Sequence, residues 1–428
     1  MSSMTVNMIG LGYIGLPTAA VMALKGMNVI GTDINKNACE LINDGKIHIV
    51  EPGLQKLVSS VVSAGLLKAQ TVPAESADVF VIAVPTPFRD GYSPNLDYIE
   101  AAAKSLAPSL KKGDLVILES TSPVGTTEKL SQWLAEHRPD LAFPVFEDKN
   151  DGADIDVNVA YCPERVLPGQ VIRELRENDR VVGGITEACS EKAKAFYANF
   201  VDGECCTTNA RTAEMTKLTE NSFRDVNIAF ANELSTICDE LQINVWELIS
   251  MANRHPRVNI LQPGCGVGGH CIAVDPWFIV DKSPERARLI KMAREVNDGK
   301  PIFVAQKLSE MLFAYLNKNP SASMSSVKVA CYGMAFKPNI DDMRESPAVD
   351  AIKAICRAHK GITLNVVEPH LEGDLPPALS QENIVISTLE ESMDADIKVV
   401  LVAHDYFKRV DELNVSSDSV LNVAWPTK

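Results

Sequence analysis

The chain has 428 residues, too many for one hydrophobic core, and 46% hydrophobic with 23% charged residues describes a globular protein of two or three domains. A formal net charge of -15, with no clustered Lys and Arg, argues against nucleic acid as a partner, because neutralising phosphates needs such clusters. No run approaches the roughly 20 apolar residues of a membrane span and the N-terminus lacks a signal-peptide pattern, so no membrane association and a cytoplasmic setting are expected. Ten cysteines without regular spacing suit reduced thiols and offer no zinc-type ligand set.

In chain order, a strand over Thr5–Ile9 runs into Gly10, Gly12 and Gly15 and then a helix over 16–25. A second strand, 28–33, ends on Asp33, about twenty residues past the glycines. This is the dinucleotide-binding arrangement. The glycines allow a tight turn and close pyrophosphate approach, the helix N-terminus faces the phosphates, and Asp33 meets the adenosine ribose hydroxyls. An acid there repels a 2′-phosphate, which favours NAD over NADP. Strands over 78–84, 114–119, 157–161 and 180–183 alternate with helical segments and predict a parallel, doubly wound α/β sheet.

Ligands of such sheets lie beyond the carboxyl ends of the strands. There the chain carries Thr86 between two prolines, then 120–126 with Thr121 and Thr126, then Cys162-Pro-Glu164-Arg165. Each alone is also an ordinary turn with a helix cap. Together they place hydroxyls, a carboxylate and a guanidinium on one rim. The acidic stretch 147–156 is expected to be a solvated loop.

From Thr212 a long helix is predicted to about residue 241. Glu214, Lys217, Asn221 and Arg224 share one face, while Met215, Leu218, Ser222, Val226 and Ala229 populate another. A polar stripe on a surface helix is ordinarily solvated, yet an Asn one turn from a Lys also suits two donors converging on one oxygen. His255 and Arg257 follow in 253–259. The loop 264–276 then places Cys271 after Gly266, Gly268 and Gly269, with Asp275 four residues on. Glycines let backbone approach a ligand closely, and a thiol there can attack a carbon; a buried structural cysteine beside a tight turn is the alternative. A helix over 284–297 and a polar linker over 319–326 are predicted next. Strands from 327 and at 363–368, 384–387, 398–402 and 420–423 form a second, smaller α/β sheet. It lacks the three-glycine motif and so is expected to hold a different nucleotide.

With these residues assembled, the chain resembles the UDP-glucose/GDP-mannose 6-dehydrogenase family nearly end to end. The motifs that carry the likeness are Gly-Leu-Gly-Tyr-Ile-Gly at 10–15, Ser-Thr-Ser-Pro-Val-Gly at 120–125, Cys-Pro-Glu-Arg at 162–165, Lys217 with Asn221, Gly-Gly-His-Cys-Ile-Ala-Val-Asp at 268–275, and Phe-Lys-Pro at 336–338 with Asp-Asp-Met-Arg-Glu-Ser-Pro at 341–347. Within it, the runs 164–169 and 253–259, and His270 before the cysteine, look most like the bacterial branch that oxidises UDP-N-acetyl-D-mannosamine for surface polysaccharides. The resemblance implies two Rossmann-like domains joined by a central helical domain: 1–208 for NAD, 209–318 for dimerisation and the catalytic loop, and 319–428 for the UDP-sugar. It also implies a homodimer.

The implied reaction oxidises the sugar C6 alcohol by four electrons with two NAD. By resemblance Lys217 takes the alcohol proton, a task for which an ordinary lysine must be partly desolvated. Cys271 attacks the aldehyde, Lys217 and Asn221 hold the oxyanion, and Asp275 and Thr121 order a water, with Glu164 as acid/base. Tyr13, Ile14, Asp33, Thr86, Thr126 and Arg344 carry over as NAD contacts beside Gly10, Gly12 and Gly15. Arg165, Val166, Arg224, His255, Arg257, Gly268 and Lys337, with Lys217 and Asn221, carry over as UDP-sugar contacts; His255 or Arg257 can serve the neighbouring subunit. No metal is expected. UDP-N-acetylglucosamine and UDP-glucose are the alternative substrates; a two-electron alcohol dehydrogenase and an inactive NAD-sensing protein are the competing classes.

Overall fold

The structure, a computed structural model, describes residues 4–146, 155–167, 169–269, 271–371, 373–380, 382–414 and 417–426. The chain divides into two compact units, Met1–Glu220 and Asn221–Lys428. The first is built on an eight-stranded sheet: β1 Thr5–Ile9, β2 Asn28–Thr32, β3 Leu67–Gln70, β4 Val79–Ile82, β5 Leu115–Leu118, β6 Asn158–Tyr161, β7 Arg180–Gly184 and β8 Cys205–Asn209. Their order is β3-β2-β1-β4-β5-β6-β7-β8. Every residue of β4 and β5 is buried, because helices cover both faces of a parallel sheet, and so these strands read as unbroken apolar runs.

Two features depart from the sequence expectation. β3 and β8 were not foreseen: Leu67-Lys-Ala-Gln is short and half polar, and Cys205–Asn209 is a largely exposed edge strand. The sheet is also not wholly parallel, since β7 runs antiparallel to β6, with Ala160 opposite Gly184. Between them lies only the seven-residue helix Val171–Glu177. The chain re-enters the sheet from the carboxyl side of β6. The eleven-residue helix Glu187–Tyr197 then restores a parallel crossover to β8.

The second unit holds a five-stranded, wholly parallel sheet: β9 Val329–Tyr332, β10 Leu364–Val367, β11 Ile384–Ile386, β12 Ile397–Val400 and β13 Val420–Asn422, in the order β11-β10-β9-β12-β13. Helix Pro347–Ala358 packs Ala351, Ile352 and Ile355 into the core with Val329, Leu364 and Val399. Long helices complete the scaffold. The helix Ala210–Glu240 carries the boundary between the units, and most of its polar stripe is not solvated: Glu214, Lys217 and Asn221 are buried and only Arg224 of the four is exposed, while Met215 on the other face is exposed.

The helix expected over 284–297 instead begins at Arg288 and runs to Lys318, and a separate helix, Asp275–Lys282, precedes it. The longer helix continues through Gly299 and Pro301, which composition alone marks as a stop. Packing overrides the local signal: Val304, Leu308 and Leu312 beyond the proline are fully buried in the core of the second unit. Of the expected acidic loop, residues 147–154 lie outside the described residues.

Candidate active site

The glycine turn after β1 divides its labour. A Cβ at Gly10, whose φ is +93°, would lie 2.4 Å from the Ala83 carbonyl oxygen, and one at Gly15 would lie 1.8 Å from that of Gly10. Both glycines are demanded by packing. Gly12 is different: nothing lies within 4 Å of a Cβ there, so the turn leaves open space for a pyrophosphate. Asp33 follows β2 and accepts the Leu11 N–H and the Asn35 N–H, each at 2.8 Å. A carboxylate has about four acceptor sites, so it retains capacity for ribose hydroxyls. These residues fit NAD. Tyr13 is exposed and Ile14 half-buried at the start of the helix Gly15–Leu24.

The loops after β4 and β5 are joined by the Thr86 hydroxyl, which donates to the Thr121 carbonyl at 2.6 Å. Thr126 begins the helix Thr126–His137, is buried, and donates its hydroxyl to the Pro123 carbonyl at 2.7 Å. Glu214 occupies the N-terminus of that helix, accepting from the Gly125 N–H at 2.6 Å and from the Thr127 N–H and hydroxyl at 2.7 Å. Burial pushes its carboxyl up to about 7, against these three hydrogen bonds. This contact fixes the helix of Lys217 against the rim. The sequence reading placed Glu214 on the right face but had no signal for its partners, which lie almost ninety residues earlier.

Lys217, one turn on, is buried and donates through Nζ to the Glu164 carbonyl at 2.6 Å. The Glu164 side chain accepts the Val166 N–H. Burial raises this carboxyl to about 7, opposed by the cations of Lys217 and Arg180. A carboxyl so placed can both give and take a proton at neutral pH. Behind it, Arg180 is buried over the Tyr197 ring at 5.4 Å, and Tyr197 donates to Glu119 at 2.7 Å. These three charged and polar groups were not singled out from sequence. Arg165 is half-buried and paired with Glu220 at 2.7 Å, with Val166 beside it also half-buried.

In the second unit, Asn221 donates to the Asp275 carboxylate at 2.5 Å. The two donors expected to share one oxygen therefore have separate partners in this structure: Glu164 for Lys217, Asp275 for Asn221. Asp275 is buried at the first position of the helix Asp275–Lys282, and its N–H donates to the Cys271 carbonyl at 2.8 Å. Cys271 is exposed. By contrast Cys162 and Cys265 are buried, and burial pushes both thiols up to about 12, which makes them inert. Cys265 is thus the structural cysteine of this loop.

Packing also accounts for the loop's glycines. A Cβ at Gly266, φ +138°, would meet the Asn297 carbonyl and Pro347 at 2.9 Å; one at Gly268 would meet the Glu345 carbonyl at 2.2 Å; one at Gly269 would meet Phe336 at 2.8 Å. Gly266 lies where Pro301 leaves the Asn297 carbonyl without its usual intrahelical donor. His270 lies outside the described residues. Arg224, His255, Arg257 and Lys337 are exposed, with His255 Nδ1 accepting the Arg257 N–H at 3.3 Å. Arg344 is exposed and forms a bidentate pair with Asp342, at 2.8 and 2.6 Å.

Among the described residues, no helix is long and apolar enough to cross a membrane. Three sequence profiles match the chain: the NAD binding domain of the UDP-glucose/GDP-mannose dehydrogenase family over residues 4–201, its central domain over 211–299, and its UDP binding domain over 330–422. The UDP-N-acetyl-D-mannosamine dehydrogenase of Campylobacter jejuni is 59% identical over 420 residues, 97% of this chain and 98% of that protein. The NDP-N-acetyl-D-galactosaminuronic acid dehydrogenase of Ralstonia nicotianae is 56% identical over 427 residues, 99% and 97% of the two chains. Among solved structures, the UDP-N-acetyl-mannosamine dehydrogenase of Staphylococcus aureus superposes with a TM-score of 0.81 at 40% identity, covering 99% of this chain and 96% of that one. Matched along nearly its whole length, the chain belongs to the UDP-glucose/GDP-mannose dehydrogenase family and is an NAD-dependent UDP-sugar dehydrogenase.

Proposed function

We propose that the protein oxidises the C6 alcohol of UDP-N-acetyl-D-mannosamine to the uronate through a covalent adduct on Cys271, for surface polysaccharide synthesis in the cytoplasm. The observation that carries the mechanism is the exposed Cys271 thiol one helical turn before the buried Asp275, which is itself held by Asn221. NAD, when bound at Gly12 and Asp33, supplies the hydride acceptor, two per sugar.

Lys217, buried against the Glu164 carbonyl, takes the alcohol proton. Cys271 adds to the aldehyde carbon, forming the C–S bond of a thiohemiacetal, and Lys217 and Asn221 stabilise its oxyanion. Losing one such donor costs roughly 100- to 1,000-fold in rate. After the second oxidation the thioester is cleaved by water held by Asp275 and Thr121. Glu164, with its carboxyl near 7, takes the proton of that water and returns one to the departing thiolate. Arg165, Val166, Arg224, His255, Arg257, Gly268 and Lys337 are the proposed sugar-nucleotide contacts. Thr86, Thr126 and Arg344 complete the NAD site with Tyr13 and Ile14. The proposed domains are 1–208, 209–318 and 319–428.

The exposed apolar stripe Phe223, Phe230 and Ile237 on the helix Ala210–Glu240 supports a homodimer, because residues seven apart share a helix face. The choice of sugar follows the likeness to the UDP-N-acetyl-D-mannosamine dehydrogenase of Campylobacter jejuni, 59% identical. The Ralstonia relative, of nearly equal identity, favours testing a galactosaminuronate-forming substrate as well. The test is a panel of UDP- and GDP-sugars with NAD, followed at the NADH absorbance band. UDP-N-acetylmannosamine is expected to give the highest kcat/KM. Reduction by no sugar nucleotide, or full turnover by Cys271→Ala, overturns the proposal.

A further inference from the structure

The second sheet repeats, at its own glycine turn, the geometry of the first. Gly10 follows β1 and donates its N–H to the Thr32 carbonyl at 2.8 Å; Gly333 follows β9 with φ +97° and donates to the Val367 carbonyl at 2.9 Å. Glu368, the residue after β10, stands where Asp33 stands after β2. It accepts the Met334 N–H at 2.6 Å and the Ala335 N–H at 3.1 Å, as Asp33 accepts that of Leu11. The acids then diverge. Asp33 is half-buried, whereas Glu368 is buried, its other oxygen accepts the His370 N–H at 3.0 Å, and the fully buried His404 places Nε2 3.3 Å from it.

His404 connects this acid to the far end of the turn. Its Nδ1 accepts the Asn339 N–H at 2.9 Å, so the ring hydrogen sits on Nε2, which lies 3.3 Å from Glu368 Oε2 without hydrogen-bond geometry. Asn339 has φ +61°, rare for a residue with a Cβ, and is held there by Asp405. The Asn339 amide donates to the Asp405 carboxylate at 2.8 Å and accepts the Asp405 N–H at 3.0 Å. Residues 334–339 are therefore fastened at one end by Glu368 and at the other by His404 and Asp405. Between the fastenings lie Phe336, against which Gly268 and Gly269 of the thiol loop pack, and the exposed Lys337.

We infer that Glu368 and His404 are positioning residues for sugar-nucleotide binding: the acid that binds ribose in the first sheet is turned inward in the second, where it and His404 hold the Lys337 segment in its ligand-receiving conformation. This rests on the proposed contact of Lys337 with the UDP moiety.

The test is calorimetric titration of UDP into the full-length protein and its variants, with KM for NAD measured alongside. His404→Ala is expected to weaken UDP about 10-fold and to leave KM for NAD within about twofold. His404→Asn, which restores an acceptor for the Asn339 N–H, is expected to recover part of the loss. Should His404→Ala fail to fold, Asn339→Gly decides, because glycine keeps the backbone conformation and the N–H while removing the clasp on Asp405. It is expected to weaken UDP roughly threefold with an unchanged melting midpoint. Unchanged UDP affinity in Asn339→Gly and in a folded His404→Ala, or equal losses of UDP and NAD, overturns the positioning role. Lys337→Ala separates the two layers: if it loses UDP while the others do not, only the positioning role fails, and if it also binds UDP normally, the contact itself is wrong.

Discussion

The glycine turns after β1 and β9 begin alike and end differently. In the first, Gly12 faces open space and a helix starts at once, at Gly15. In the second, thirteen residues separate Gly333 from the helix at Pro347, and that intervening strap is fastened by Glu368, His404 and Asp405 and packed against the thiol loop at Gly268 and Gly269. One turn is built to admit a dinucleotide. The other packs against the Cys271 loop and leaves Lys337 exposed. The same backbone device thus serves cofactor entry in one unit and loop support in the other, and the difference lies in what packs on the glycines.

The largest effect that can break this comparison is expected from Gly268→Ala. Its Cβ would lie 2.2 Å from the Glu345 carbonyl, so the thiol loop must shift. A misplacement of that order costs about 100-fold in kcat, while NAD affinity, set by the first turn, should stay within about twofold. Retention of kcat in single-turnover assays means the strap does not support the loop. A change of similar size is expected in assembly: Phe230→Asp puts a charge into the apolar stripe of the second unit and should raise the dissociation constant of the proposed dimer by about 100-fold or more. Sedimentation at micromolar protein checks this, and an unchanged dimer places the interface elsewhere.

Asp33→Ala sharpens the contrast between the two acids. It should weaken NAD about 10-fold, the scale of a charged hydrogen bond, and leave UDP affinity untouched, the mirror image of the effect expected at His404. Fluorescence titration of NAD gives the answer. The smallest effect is a pH dependence. The folded-state carboxyls of Glu214 and Glu164 are raised to about 7 from an ordinary value of 4.5. Each therefore contributes stability that is full below about pH 4.5 and lost as pH rises through about 7. Glu214→Gln removes one of the two, so the fall in melting temperature between those pH values should become shallower. An unaltered slope means that burial does not raise the Glu214 carboxyl.

What was legible in the sequence follows the range of the interactions involved. The strand–glycine–helix–strand–acid pattern at Gly10 to Asp33 is local, and the structure shows it with Gly12 open. Cys271 and Asp275 could be placed together because one helical turn joins them. The continuation of the helix Arg288–Lys318 through Pro301 was not legible, since burial of Leu308 and Leu312 outweighs a local stop signal. Nor was the reversal of β7, because alternating strand and helix patterns carry no signal for strand direction. Glu214, Glu368 and His404 carry no motif. Their partners Thr127, Met334 and Asn339 lie 87, 34 and 65 residues away, and only the fold brings them together.

The proposed covalent four-electron oxidation at Cys271 is measured most directly by the yield of NADH per limiting UDP-N-acetylmannosamine, with the product identified by mass. Two NADH per sugar and a uronate are expected. One NADH per sugar with release of the aldehyde would contradict it.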